Sequence, residues 1–198
     1  RLREALGDEL ASLARVIRRG RSFYRGRPGV EANGAPFSGE AIGTPPPGRG
    51  AAGRANPAGI SMLYVAREEA TAAFELRARE PQGPLSMCRI RTTRDLMVVD
   101  LVDGYPRINP FTTSDETLFW DVEVADLLGL FGEALSQPVQ NDDDPQEYVV
   151  TQQLSAAVKA AGYDGIRYGS TRVERGVNLV LFDPGSGAVR QPSWHIDS

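Results

Sequence analysis

Short apolar runs, separated by segments of helical periodicity in no regular order, most constrain what this chain can fold into. Ser61–Ala66 (SMLYVA), Leu96–Leu101 (LMVVDL) and Val177–Phe182 (VNLVLF) are too short for core helices and have the composition of buried strands. Ser22–Arg27, Ser86–Ile90 and the stretch from Asp164 to Ser170 predict three more strands. Between them, helical spacing places Leu2, Leu6, Leu10, Leu13, Val16 and Ile17 on one face of a helix over 2–18 that ends at Gly20. Further helices are predicted over Arg67–Arg79, Asp126–Ser136 and Glu147–Ala161, the last stopped by Gly162. About six strands and four helices, irregularly interleaved, predict an α+β fold. With 198 residues, no internal repeat and no linker between two cores, one mixed domain over 1–198 is expected. Its N-terminal helix, 2–19, could belong to a preceding region of a longer chain, since the first residue is Arg1.

Other readings follow by exclusion. No apolar run approaches the roughly 20 residues of a membrane span, and the first residues lack the apolar core of a signal peptide. One cysteine, Cys88, and one histidine, His195, make neither an internal disulfide nor a Cys/His zinc site. Cys88 reads as a buried small hydrophobe, and His195 lies in a polar tail, PSWHIDS, away from any nucleophile. Asp142, Asp143 and Asp144 read as a solvated run, because their spacing is not that of a calcium loop. No metal is expected.

The net charge of −4 conceals an asymmetry. Residues 1–100 hold 16 Arg against 11 Asp and Glu, whereas residues 101–198 hold 6 basic against 15 acidic residues. Only Lys159 is lysine. Arginine's planar fork suits phosphate and carboxylate, so a few of these side chains can bind an anion on a protein that is acidic overall. Arg15, Arg18, Arg19, Arg21, Arg25 and Arg27 crowd into 13 residues, which raises a nucleic-acid or partner-binding helix as one alternative. The net charge argues against nucleic acid.

Four segments join glycines to isolated polar residues: FYRGR with Tyr24 and Arg25, GRANPAG with Arg54 and Asn56, Tyr64 followed by Glu75, and YGS with Ser170 followed by Asn178. Arg25 and Arg54 are candidate anion grips, Tyr24 and Tyr64 candidate stacking faces, and Glu75 a carboxylate beside Ala73, Phe74 and Leu76. Each has a structural reading as well: solvated arginines, a Glu75–Arg79 pair, Ser170 capping a turn. No GxGxxG follows a strand and no GxxxxGK[ST] occurs, so neither a dinucleotide fold nor a P-loop is indicated. The residues alone leave an Arg/Glu/Ser/Tyr site without a reaction.

GRSFYRGR, PPPGRGAAGRANPAGISMLYVAREEATAAFELR and EYVVTQQLSAAVKAAGYDGIRYGSTRVERGVNLVLFDP, in this order, resemble the RES family, named for an Arg, a Glu and a Ser. The resemblance spans Phe23 to Pro184. It implies a fold like that of ADP-ribosyltransferases and a bacterial toxin that degrades NAD by cleaving its nicotinamide glycosidic bond with water or phosphate. Arg25, Arg54, Tyr64, Glu75, Ser170 and Asn178 match the family's residues by position; Arg25, Tyr64, Glu75 and Ser170 are the expected catalytic residues, and Arg54 and Asn178, together with Tyr24 and Asn56, the expected substrate-binding residues. Ala55 stands where a larger residue is usual, and Gly169 where proline commonly precedes the serine, which is expected to leave Ser170 looser.

In this reading NAD is the substrate, inorganic phosphate a possible co-substrate, and no cofactor is needed. Glu75 would stabilise the ribosyl cation left by nicotinamide, Arg25 and Arg54 would hold the diphosphate, and Ser170 would bond the nicotinamide ribose or amide. An antitoxin or immunity protein is the implied partner, with the Gly/Pro loop from Arg27 to Gly53 as the mobile element it contacts. The expected site of action is the cytoplasm. ADP-ribosyl transfer to a macromolecule is the other enzymatic alternative.

Overall fold

Strands buried on both faces mean that the two faces of a single sheet are both covered, each by different parts of the chain. The computed structural model describes residues 2–78, 81–102, 115–136, 148–170, 172–182 and 189–197. The elements in chain order are α1 (Leu2–Ser12), β1 (Ala14–Ile17), β2 (Ser22–Pro28), β3 (Leu63–Ala66), α2 (Glu69–Arg77), β4 (Leu85–Thr92), β5 (Leu96–Asp100), α3 (Asp115–Ser136), α4 (Val149–Ala160), β6 (Gly165–Gly169), β7 (Val177–Leu181) and β8 (Val189–Asp197). Eight strands form one sheet in the order β1-β5-β6-β7-β3-β2-β4-β8. Among the described strand pairs, β5 and β6 run parallel and the rest antiparallel. The α+β class therefore holds.

One face presents Val99, Ile166, Tyr168 and Val180 to Leu10 and Leu13 at the N-terminus, to Val124, Leu128, Phe131 and Leu135 of α3, and to Val158 of α4. On the same face α2 packs Ala72 and Leu76 against Ala66, Leu85 and Met87. The opposite face, with Phe23, Leu63, Val65, Ile90, Val98, Leu179 and Leu181, is covered instead by Phe37 and Ile42 of the long segment after β2. Ile42 is 1% exposed, so this Gly/Pro segment is part of the core and not a loose appendage. A short 3₁₀ turn at Gly39–Ala41 delivers it there.

The N-terminal helix expected over 2–19 stops at Ser12. Ala14–Ile17 is instead an edge strand, paired antiparallel to Leu96–Val99. Leu13, Val16 and Ile17 satisfied a helical spacing, but β-branched Val16 and Ile17 also suit a strand, and pairing to β5 decides between the two. This breaks up the expected arginine face. Arg15 bonds Asp100 at 2.6 Å from β1, Arg18 bonds Asp95 at 2.8 Å, and Arg27 lies over the Phe37 ring. The tail read as polar is strand β8, an edge strand pairing with β4, with His195 opposite Met87. The register shifts between Arg89 and Arg91, opposite the stretch holding Pro192, as befits a residue with no N–H for the ladder. The third helix begins at Asp115, earlier than the expected Asp126. Asp142, Asp143, Asp144 and Arg79 lie outside the described residues.

Candidate active site

Strand register builds the floor of the site. Tyr24 of β2 is opposite Ala66 of β3, Ala66 opposite Asn178 of β7, and Asn178 opposite Tyr168 of β6. These four side chains form a row across four adjacent strands on the helix-bearing face. Ala66 is small, so the row has a low middle between two aromatic rings. Tyr24–Ala66 is also the one residue pair joining β2 to β3. Beyond it the two strands part, and a cavity of about 690 Å³ opens there. Tyr24, Arg25, Arg54, Asn56, Tyr64, Glu75 and Asn178 all line it, so the structure gathers seven of the eight residues singled out in the sequence. The eighth, Ser170, reaches the site through Glu75.

Glu75 comes from α2, one turn beyond buried Thr71 and Ala72. The helix sits close to the sheet because Gly26 has no side chain. A Cβ there would lie 2.3 Å from Cδ1 of Leu76, the neighbour of Glu75. Oε1 of Glu75 accepts from Ser170 Oγ at 2.6 Å and from Asn178 Nδ2 at 3.2 Å, while Arg172 Nε lies 3.7 Å from Oε2. Ser170 Oγ in turn accepts from the N–H groups of Arg172 and Val173, both at 3.2 Å. With its acceptor side filled from the turn, its proton is directed at Glu75. Ser170 N–H donates to Gly176 O at 2.8 Å, so the backbone expected to be loose after Gly169 is tied across the turn.

Arg25 points toward the other face of the sheet, into the gap where β2 and β3 part. Its Nε donates to Ile42 O at 2.7 Å and an Nη to Tyr64 O at 2.9 Å. Burial lowers the pKa of this guanidinium, Cys88 and Tyr64 act in the opposite sense, and neighbouring Arg27 lowers it further. Its described hydrogen bonds all go to carbonyls, so its charge meets no carboxylate in them. A desolvated cation of this kind favours an incoming anion.

Arg54 sits in the turn Gly53–Asn56, with Nη1 donating to Leu135 O at 2.6 Å in the last turn of α3. Tyr64 does more than present a ring. Its hydroxyl donates to Asn56 Oδ1 at 2.6 Å and accepts from Ala55 N at 3.1 Å. The Asn56 amide donates to the carbonyls of Ala51, Pro57 and Ile60. Asn56 is 2% exposed, and both ends of its side chain serve the loop. Ala55, 1% exposed in the core, explains the small residue after Arg54. Cys88 is fully buried, and burial pushes its thiol up to about 11, in keeping with a packing role.

Three residues at the site went unassigned in the sequence: Arg172, Gln152 and Tyr148. Arg172 carries a weak signal, two positions after Ser170. Gln152 and Tyr148 carry none, because a polar or aromatic residue at the start of a helix is ordinary. Tyr168 entered only as part of the YGS segment.

A family model described as the RES domain matches residues 22–197. The chain belongs to the RES domain family. The match begins where β2 begins and runs to the end of β8, so the family's sheet includes the C-terminal edge strand. Within this RES domain, Arg25 and Glu75 line the cleft between β2 and β3, and Ser170 bonds Glu75. Among solved structures, one described as a crystal structure of the M. tuberculosis MbcT-MbcA toxin-antitoxin complex has a similar chain, with TM-score 0.56 and 14% identity over 100% of this chain and 94% of that one. Its likeness is one of fold. No curated protein sequence matches the chain.

Proposed function

We propose that this RES domain cleaves the nicotinamide glycosidic bond of NAD. The observation that carries the reading is the Glu75 carboxylate, held at the wall of the cleft by Ser170 and Asn178. When the bond from the ribose C1′ to the pyridinium nitrogen breaks, the electron pair leaves with nicotinamide. The ribose then carries oxocarbenium-like positive charge. A carboxylate already oriented by two donors stabilises that charge without reorganising.

The rest of the cleft supports the same substrate. A cavity of about 690 Å³ is of the size that encloses cofactor-sized ligands. Tyr24 and Asn178 flank the low point at Ala66, with Tyr168 one strand beyond Asn178, so a flat ring can lie against an aromatic wall. Arg25 and Arg54 supply the cations that a diphosphate requires. Ser170 acts on Glu75 rather than on the ribose or amide, since its proton is already committed. Water or inorganic phosphate then attacks C1′, giving ADP-ribose or its 1″-phosphate and, with water, a released proton.

An enzyme that consumes NAD in the cytoplasm acts as a toxin unless restrained. The family resemblance and the toxin-antitoxin complex of the structural neighbour support a protein antitoxin as its partner. The test is purified protein incubated with NAD, with and without phosphate. Free nicotinamide with ADP-ribose marks hydrolysis, and free nicotinamide with the 1″-phosphate marks phosphorolysis. No nicotinamide defeats the reading, and label from NAD retained on protein or nucleic acid replaces it with ADP-ribosyl transfer.

A further inference from the structure

Gln152 projects from the first turn of α4 to the loop that carries Arg54. Its Nε2 donates to Gly53 O at 2.9 Å and to Asn56 O at 3.0 Å, across nearly 100 residues of sequence. These carbonyls mark the two ends of a four-residue turn that is also closed on itself, with Gly53 N bonded to Asn56 O at 2.8 Å and Asn56 N to Gly53 O at 3.3 Å. From the other side Tyr64 and Asn56 lock the same turn through the hydroxyl and amide bonds described above. Gly53 has to be glycine for this closure, since a Cβ would lie 2.7 Å from the Tyr64 hydroxyl and 2.9 Å from Asn56 Oδ1.

The backbone groups of Gly53 and Asn56 and the Asn56 side chain are thus bonded within the protein, and Arg54, the turn's second residue, is the charged side chain it carries into the cleft. Two convergent carbonyls need a neutral group with two protons, which the amide of glutamine supplies. Leucine would leave them without that donor, and glutamate would set acceptors against acceptors.

We propose that Gln152 is a positioning residue for Arg54. By holding both ends of the turn from α4, it fixes where the guanidinium meets a diphosphate. The proposal rests on reading the cleft as a dinucleotide site. A loop ordered beforehand does not have to be ordered on binding, so losing the clamp weakens affinity and not the chemical step.

The experiment measures the Kd for inorganic pyrophosphate and the KM and kcat for NAD in wild type, Gln152→Leu, Arg54→Ala and the double variant. Gln152→Leu is expected to raise the pyrophosphate Kd and the NAD KM about tenfold, with kcat within about twofold and a near-native melting curve. The double variant should bind no more weakly than Arg54→Ala alone, because Gln152 acts through Arg54. Unchanged pyrophosphate affinity in Gln152→Leu overturns the proposal, as do multiplicative losses in the double variant or no pyrophosphate binding by wild type. A wild-type protein that binds pyrophosphate but releases no nicotinamide defeats the proposed reaction and leaves this comparison intact. Should Gln152→Leu not fold, Gln152→Asn, which keeps the amide but is one methylene too short, serves in its place.

Discussion

Ser170 holds three hydrogen bonds on one oxygen, two accepted from Arg172 and Val173 and one donated to Glu75. Ser170→Ala therefore removes a donor from the Glu75 carboxylate without touching substrate. Turnover should fall about tenfold with KM for NAD nearly unchanged, and an equal fall in affinity would show that the hydroxyl binds substrate instead. At Cys88, burial and a thiol pushed up to about 11 leave almost no thiolate at pH 8. An aromatic disulfide reagent should leave the native protein unlabelled and titrate one thiol after unfolding in guanidinium; fast labelling of the native state would contradict the packing role. Residue identity was legible at this scale, because arginine, glutamate and serine beside glycines stand out from core composition. Partnership was not. Nothing in SFYRGR indicates that Arg25 reaches Ile42 and Tyr64 carbonyls, and Tyr64 looked like a stacking ring although its hydroxyl braces Asn56.

Among the elements, the central strands were legible because burial on both faces leaves nearly continuous apolar runs, as in VNLVLF. The edge strands were not. At β1 a four-residue strand shares its spacing with the preceding helix, and at β8 Pro192, Ser193 and Asp197 disguise an edge, where polar residues and proline are tolerated. Asp164 joins two elements at the start of β6. Its carboxylate accepts the Arg94 fork at 2.5 and 3.1 Å and the Met97 N–H at 2.7 Å. Burial alone would raise its pKa, but these bonds outweigh burial and hold the carboxyl below the usual range. The sign follows from the depressed folded value. The stabilisation is fully present above the unfolded pKa of about 3.9 and disappears as pH falls through the folded one. Asp164→Asn should lower Tm by roughly 3–6 °C at pH 7, for a loss of about 1–2 kcal/mol, and by much less near pH 2. Equal losses at both pH values would refute the linkage.

Across the whole molecule, the helices occupy one face of the sheet, and the Gly/Pro segment after β2 covers the other through Phe37 and Ile42. That segment has the composition of a loop, and Phe37 and Ile42 make it a cover. Deleting residues 36–42 should therefore unfold or strongly destabilise the protein, as seen in a lost or much lowered thermal transition. A native-like melt after this deletion would mean that the segment is dispensable to the core. The cover and the site are linked, because Arg25 bonds Ile42 across the gap where β2 and β3 separate, and the cleft exists because those strands separate. The central claim is that Glu75, held over this cleft, drives cleavage of NAD. Nicotinamide release by wild type and by Glu75→Gln, at saturating NAD and on folds shown equal by their melts, tests it most directly. The account predicts release by the wild type and a loss of roughly two to three orders of magnitude in the variant, with NAD affinity retained. Wild-type turnover in Glu75→Gln would contradict it.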